Sequence, residues 1–203
     1  MGEADFGKVG DTLAYYERNA EQFAKGTVSV DFAETQNRFL DKLEAGSLIL
    51  DFGCGSGRDT KYFLERGYRV EAIDGSTELC RMASAYTGVE VRRMLFQELS
   101  AVDTYDGIWA CSSILHLPPA ELRDVMRKMA AALKTRGIIY TSFKYGTFAG
   151  ERNGRFFTDM TEERFAEFLK GIKGLVTEEQ WVSGDARPER SGERWLNLIM
   201  RKE

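Results

Sequence analysis

The chain has 203 residues, 43% hydrophobic and 30% charged, with a formal net charge of −4 and a pI near 5.3. That balance suits one globular domain with a buried core and excludes a disordered or repetitive chain. Acidic overall, with Lys and Arg scattered among acids, it lacks the positive field that nucleic-acid binding draws on, so no nucleic-acid partner is expected.

Cys54, Cys80 and Cys111 are odd in number and lack metal-ligand spacing, and His116 is the single histidine. Reduced thiols, no metal site and a cytoplasmic setting follow as expectations. The opening run MGEADFGKVGDTL has neither the basic start nor the apolar run of a signal peptide. No stretch approaches the ~20 apolar residues of a membrane span, so no membrane partner is expected.

From Asp11 to about Ala45, apolar residues recur at helical spacing (Tyr15, Tyr16, Phe23, then Phe32, Phe39, Leu40, Leu43), with a break at Gly26-Thr27. Two helices are predicted. Ser47 to Asp51 reads as an apolar strand ending in an acid, followed by a glycine-rich turn and a helix from about Gly57 to Glu65 that stops at Gly67. Strand Arg69 to Asp74, helix Ser76 to Ala85 and strand Val89 to Arg93 repeat the unit. Strand Asp106 to Cys111, helix Pro118 to Lys134 and strand Gly137 to Phe143 extend it. Alternation of this kind implies a parallel sheet covered by helices on both faces. Lys144 to Arg155 reads as a glycine- and arginine-rich loop and Thr161 to Lys170 as a helix. Glu178 to Ser183 and Arg194 to Met200 read as an antiparallel hairpin at one side of the sheet, joined by the Gly184 to Glu193 loop.

In Asp51-Phe-Gly53-Cys54-Gly55-Ser-Gly57 the missing side chains let a ligand lie against backbone N–H groups at a helix start. About twenty residues on, Asp74 ends the second strand, where a carboxylate accepts bonds from both hydroxyls of a ribose. Together they indicate a nucleoside-containing cofactor. Alone, such a turn often only joins a strand to a helix.

Leu50 to Gly57 resembles the first motif of class I S-adenosylmethionine-dependent methyltransferases, and Ala72-Ile-Asp74-Gly75-Ser76 resembles their second. Tyr105 to Leu117 and Leu133 to Phe143 are similar to their fourth-strand and fifth-strand segments, so the likeness covers about residues 45 to 145. It implies a Rossmann-like three-layer αβα sandwich with a seven-stranded, mostly parallel sheet of order 3-2-1-4-5-7-6 and an antiparallel C-terminal strand. It further implies one methyltransferase domain over 1–203 with 1–45 as lid helices, and S-adenosyl-L-methionine as cofactor. The donor methionine would lie near Gly53 and Gly55, the ribose on Asp74 and the adenine near Phe96-Gln97. Where many members carry an acid after the third strand, this chain has Met94-Leu-Phe96-Gln97, so Gln97 or backbone groups would serve.

Methyl transfer from a sulfonium is an in-line displacement, for which the protein positions donor and acceptor and excludes water. Tyr15, Tyr16 and Phe23 are either a core stripe or a lid over the donor, and the Tyr-rich N-terminal helix of related small methyltransferases moves Tyr16 toward the second role. Cys111, Ser112 and Ser113 end the fourth strand at the switch point where ligands sit in open α/β sheets. His116 is the side chain whose ordinary pKa suits a general base, and it equally suits a loop-holding role before Pro118. Arg58 and Asp59 either reach the donor carboxylate or cap and solvate the first helix after the turn. Lys144, Tyr145, Arg152, Arg155, Arg187, Arg190 and Arg194 are either solvated or meet an anionic small molecule. A small-molecule acceptor is expected, and no motif speaks to oligomeric state. Two other classes compete. A dinucleotide-dependent oxidoreductase wants a third glycine where this chain has Arg58, and a non-catalytic donor-binding module would use His116 and the tyrosines for packing alone.

Overall fold

The computed structural model describes residues 6–203; residues 1–5, which open the run read above for a signal peptide, lie outside them. In chain order the elements begin α1 (Phe6–Thr27), α2 (Ala33–Leu40), β1 (Leu48–Phe52), α3 (Arg58–Glu65), β2 (Arg69–Asp74), α4 (Thr77–Thr87) and β3 (Val91–Arg93). Next come β4 (Tyr105–Ala110), α5 (Pro119–Ala132), β5 (Leu133–Lys144), β6 (Ala149–Arg152) and β7 (Arg155–Thr158). The chain ends in α6 (Glu162–Leu169), β8 (Leu175–Gly184) and β9 (Arg194–Lys202).

Seven strands form one sheet in the order β3-β2-β1-β4-β5-β9-β8. The first five pair in parallel, while β9 runs antiparallel to β5 and β8 antiparallel to β9. Counted within this sheet the order is the expected 3-2-1-4-5-7-6, and the late strands form the expected antiparallel hairpin. Central parallel strands are covered on both faces, which is why β1 and β4 read as unbroken apolar runs. Ile49, Trp109, Ile138, Tyr140 and Ile199 pack on one face with Phe39 and Phe63, and the Trp109 and Tyr140 rings stack at 4.0 Å. Leu50, Phe52, Ile108 and Phe143 pack on the other with Met126 and Met129.

Local chemistry sets the ends of several helices. The Ser76 hydroxyl accepts the Leu79 N–H at the start of α4, and Gly88 ends that helix at φ +79°. Thr161 caps α6 in the same way as Ser76. In α1 the Asn19 amide donates to the Tyr15 carbonyl at 2.7 Å, and Asn19 itself leaves helical geometry at φ −113°, ψ 15°. A side chain that takes the i−4 carbonyl kinks a helix at that point.

Three sequence expectations need correction. Strand β3 begins at Val91 rather than Val89, because Gly88 ends α4 in a left-handed turn and Val89 still belongs to it. Helix α5 stops at Ala132, and β5 begins at Leu133 rather than Gly137. The stretch from Lys144 to Arg155 is no plain loop. It contains β6 and leads into β7, a hairpin turning through Asn153 (φ +51°) and Gly154 (φ +73°). Asn-Gly with both residues at positive φ is the two-residue turn that matches strand twist.

Candidate active site

The strand order reverses between β1 and β4, so their C-terminal ends open a crevice in which ligands sit in open α/β sheets. A cleft of about 450 Å³ lies there. Its floor is the turn after β1, where the Gly53 and Cys54 N–H groups both donate to the Ile73 carbonyl, at 3.0 and 2.9 Å. The Gly55 N–H donates to Asp74 Oδ2 at 2.9 Å and the Ser76 N–H to Oδ1 at 2.9 Å. Burial raises the Asp74 pKa against the opposing pull of these amides. Gly53 adopts φ +90°, and a Cβ there would sit 2.6 Å from Ser113 Cβ and 3.0 Å from Phe96 Cζ. At Gly55, φ +55°, a Cβ would meet Phe23 at 2.9 Å. The turn therefore has the shape it has only without side chains.

Of the residues singled out in sequence for the cofactor, Tyr16, Gly53, Cys54, Gly55, Arg58, Asp74, Gly75, Phe96, Gln97, Cys111, Ser112 and Ser113 line this cleft. Asp51 and Ser76 do not. Asp51 is buried behind the turn, where the Thr60 hydroxyl donates to it at 2.6 Å and where burial and the nearby Asp59 push its carboxyl well above the usual range. Ser76 is buried as the cap of α4, and its hydroxyl also donates to Glu17 at 2.5 Å. Gln97 donates its amide to Glu121 at 2.6 Å, and its carbonyl accepts the Lys128 ammonium. Burial pushes the Cys111 thiol up to about 12, so it stays neutral.

Of the two readings open for Asp59, the solvated cap is the one its burial rules out. It is 7% exposed and accepts Trp109 Nε1 at 2.8 Å, Gln36 Nε2 at 2.6 Å and both Arg58 donors at 2.7 and 2.9 Å. The paired carboxylate ties α2, α3 and β4 together and fixes the Arg58 guanidinium in the cleft wall, over the Phe32 ring at 4.7 Å.

The opposite wall comes from α1, the turn after β4, β7 and the loop before β9. His116 is 8% exposed; its Nδ1 lies 2.7 Å from the Phe156 carbonyl and its Nε2 2.8 Å from the Tyr16 hydroxyl. A carbonyl only accepts, so Nδ1 carries the hydrogen and, in the neutral ring, Nε2 accepts from Tyr16. Burial, reinforced by Arg155 and Lys144, lowers the His116 pKa from 6.5 to about 4. Burial also raises the Tyr16 pKa, opposed by Arg155, whose Nη1 donates to the Tyr16 oxygen at 3.3 Å. The result is a one-way chain of donors, Arg155 to Tyr16 to His116 to the Phe156 carbonyl. Thr12, Tyr16, Asn19 and Phe23 bring α1 into the cleft lining, and the Tyr16 ring meets Phe23 edge-on at 5.2 Å.

Lys144, Arg155, Arg187 and Arg190 also line the cleft. Arg152, Tyr145 and Arg194 do not: Arg152 pairs with Asp159, the Tyr145 hydroxyl donates to Glu162 at 2.9 Å, and Arg194 lies over the Tyr145 ring. Sequence reasoning missed Asn19, Ser142, Asp185, Trp195 and Asn197, which line the cleft as well. Asn197 is a buried amide within the apolar run Trp195 to Met200 of β9, accepting from the Tyr140 hydroxyl at 2.7 Å. That polar interruption was a legible signal.

Residues 49–137 match a family model described as a methyltransferase domain. That stretch is 89 of the 203 residues, and over it the chain is similar to methyltransferase domains. It is 24% identical over 164 residues to an uncharacterized methyltransferase of Staphylococcus carnosus, covering 77% of this chain and 78% of that protein. Other curated relatives are matched over less than half of their length. Among solved structures, the fold is shared with Burkholderia thailandensis 1,6-didemethyltoxoflavin-N1-methyltransferase, which holds 1,6-didemethyltoxoflavin and S-adenosylhomocysteine (TM-score 0.79, 21% identity, 100% of this chain and 92% of that one). It is also shared with the [4+2]-cyclase SpnF (TM-score 0.72, 15% identity, 94% of each).

Proposed function

We propose that this methyltransferase moves the methyl group of S-adenosylmethionine to a small-molecule acceptor in the cleft under α1. The observation that carries the reading is the Gly53–Gly55 turn, tied through the Gly55 amide to Asp74 and opening into the same cleft as Tyr16 and His116. S-adenosylmethionine is the cofactor, and when bound it supplies an electrophilic methyl group on a sulfonium.

The residues fit it. Each Asp74 oxygen accepts one of the Gly55 and Ser76 amides and retains a lone pair for a ribose hydroxyl. The bare turn at Gly53 and Gly55 admits a chain against backbone, and Phe96 beside Gly53 offers a ring face to the adenine. Tyr16 and Phe23 exclude water from above. Of the expected 1–45 lid, residues 1–5 lie outside the described residues and α1 is the part that serves as lid, while about 450 Å³ for donor and acceptor together suits a small acceptor.

His116 is neutral near pH 7 and already accepts from Tyr16, so it orients that hydroxyl. The acceptor atom then arrives with its lone pair available, and the protein contributes positioning. Calorimetric titration with S-adenosylmethionine, S-adenosylhomocysteine and NAD tests the reading. Micromolar binding of the first two without NAD is expected, and binding of NAD alone would overturn it.

A further inference from the structure

Among the described residues five cationic side chains face the cleft, and four of them make ion pairs, two with the same Glu193. Arg58 is paired with Asp59 at 2.7 Å, Arg187 with Asp185 at 2.7 Å, Lys144 with Glu193 at 2.5 Å, and Arg190 lies 3.8 Å from Glu193. Arg155 makes no ion pair among the described residues. Its one hydrogen bond there is Nη1 to the Tyr16 hydroxyl, and its Nε is buried without a partner. The guanidinium is nonetheless held in place, 4.5 Å from the Tyr15 ring centre and 5.2 Å from that of Phe157. Arg152, across the same two-residue turn, shows the contrast: it pairs with Asp159 and lies outside the cleft.

A guanidinium ordered by aromatic faces and without a carboxylate among the described residues, with its planar donor fork at a ligand cleft, is built for an anion. Resting on the methyltransferase reading above, we infer that the methyl acceptor carries a carboxylate or phosphate group, and that Arg155 anchors it beside Tyr16. The hairpin β6–β7 is then the specificity element, since its turn at Asn153-Gly154 sets the start of β7 and hence the guanidinium. The same chemistry has a second source, the methionine carboxylate of the donor itself, and the experiment separates the two.

Protein saturated with S-adenosylhomocysteine is titrated calorimetrically with benzoate, phenyl phosphate and benzamide, for the wild type, Arg155→Lys and Arg155→Gln. We expect one of the two anions to bind at least tenfold more tightly than benzamide. Arg155→Gln then weakens that anion at least tenfold, and Arg155→Lys restores part of it, while affinity for S-adenosylhomocysteine stays within threefold. Equal binding of benzamide and the anions, or no anion binding to the loaded wild type, overturns the proposal. An Arg155→Gln protein that loses S-adenosylhomocysteine instead assigns Arg155 to the donor carboxylate and overturns it too. Failure of the wild type to bind S-adenosylhomocysteine at all overturns the methyltransferase reading, which none of the anion outcomes does.

Discussion

The half of the cleft proposed above for the donor is drawn from neighbouring stretches of chain, Gly53 to Gly75 and Phe96 to Ser113, and is shaped chiefly by backbone. The opposite half joins Tyr16, His116, Lys144, Arg155 and Arg187 from separate segments and is held by side chains. In the first, glycines and one carboxylate organise amide groups. In the second, each polar group depends on a partner far away in sequence, as Tyr16 does on His116 across 100 positions. Substitutions in the two halves should therefore fail differently, the first in donor affinity and the second in protonation and turnover.

The largest effect is expected at Asp74. Hydrogen bonds to a charged acceptor contribute about 1.5–3 kcal/mol each, so losing two ribose bonds in Asp74→Ala should weaken S-adenosylhomocysteine about 100-fold or more by calorimetry. An affinity within threefold of wild type would break the assignment of this half to the nucleoside.

His116 gives the next largest. Its folded-state pKa is depressed from 6.5 to about 4, so the unfolded chain binds a proton that the folded one refuses as the pH falls from 6.5 toward 4. Wild type loses stability across that window and keeps it above pH 6.5, by about 3 kcal/mol in all. His116→Asn lacks this term, so the difference in unfolding free energy between the two proteins should drift against the wild type by that amount between pH 6.5 and 4. A flat difference in denaturant titrations would place the ring in contact with water.

A smaller loss is expected from Gly53→Ala. The new Cβ meets Ser113 and Phe96 at a backbone φ of +90°, and such strain costs of order 1–3 kcal/mol. Donor affinity should drop roughly tenfold with the circular dichroism of the fold retained; unchanged affinity would mean that the turn has room to give. Smallest is Tyr16→Phe, which removes the donor to His116 Nε2 and leaves the donor half alone. As His116 is the single histidine, its ring nitrogens are readily followed by NMR. Their titration should move up by about one unit or less, with S-adenosylhomocysteine affinity within about twofold. A change in that affinity instead would blur the division between the halves.

How much of this was legible in the sequence follows the same division. The glycine turn and Asp74 could be read directly because φ above zero and a strand-terminal carboxylate are demands on particular residue types. Asn153-Gly154 was equally legible as a hairpin turn, but Ala149 to Arg152 and Arg155 to Thr158 are short and rich in arginine, so strand patterning did not support it. Asp59 read as a helix cap because its Trp109 and Gln36 partners lie 50 and 23 residues away.

By itself, the sequence determined the parallel sheet, its antiparallel last pair and the glycine turn after the first strand, since burial on both faces and backbone geometry act over a few residues. Only the tertiary structure decided that Asp59 is a buried tie, that Asp51 and Ser76 support the cleft from outside it, and that His116 is neutral with Nε2 on Tyr16. It also decided that Arg155, among the described residues, is the cleft cation that stands without a carboxylate. Each depends on which charges and carbonyls meet when distant segments pack, and in a buried site those neighbours set whether a group is charged, paired or free.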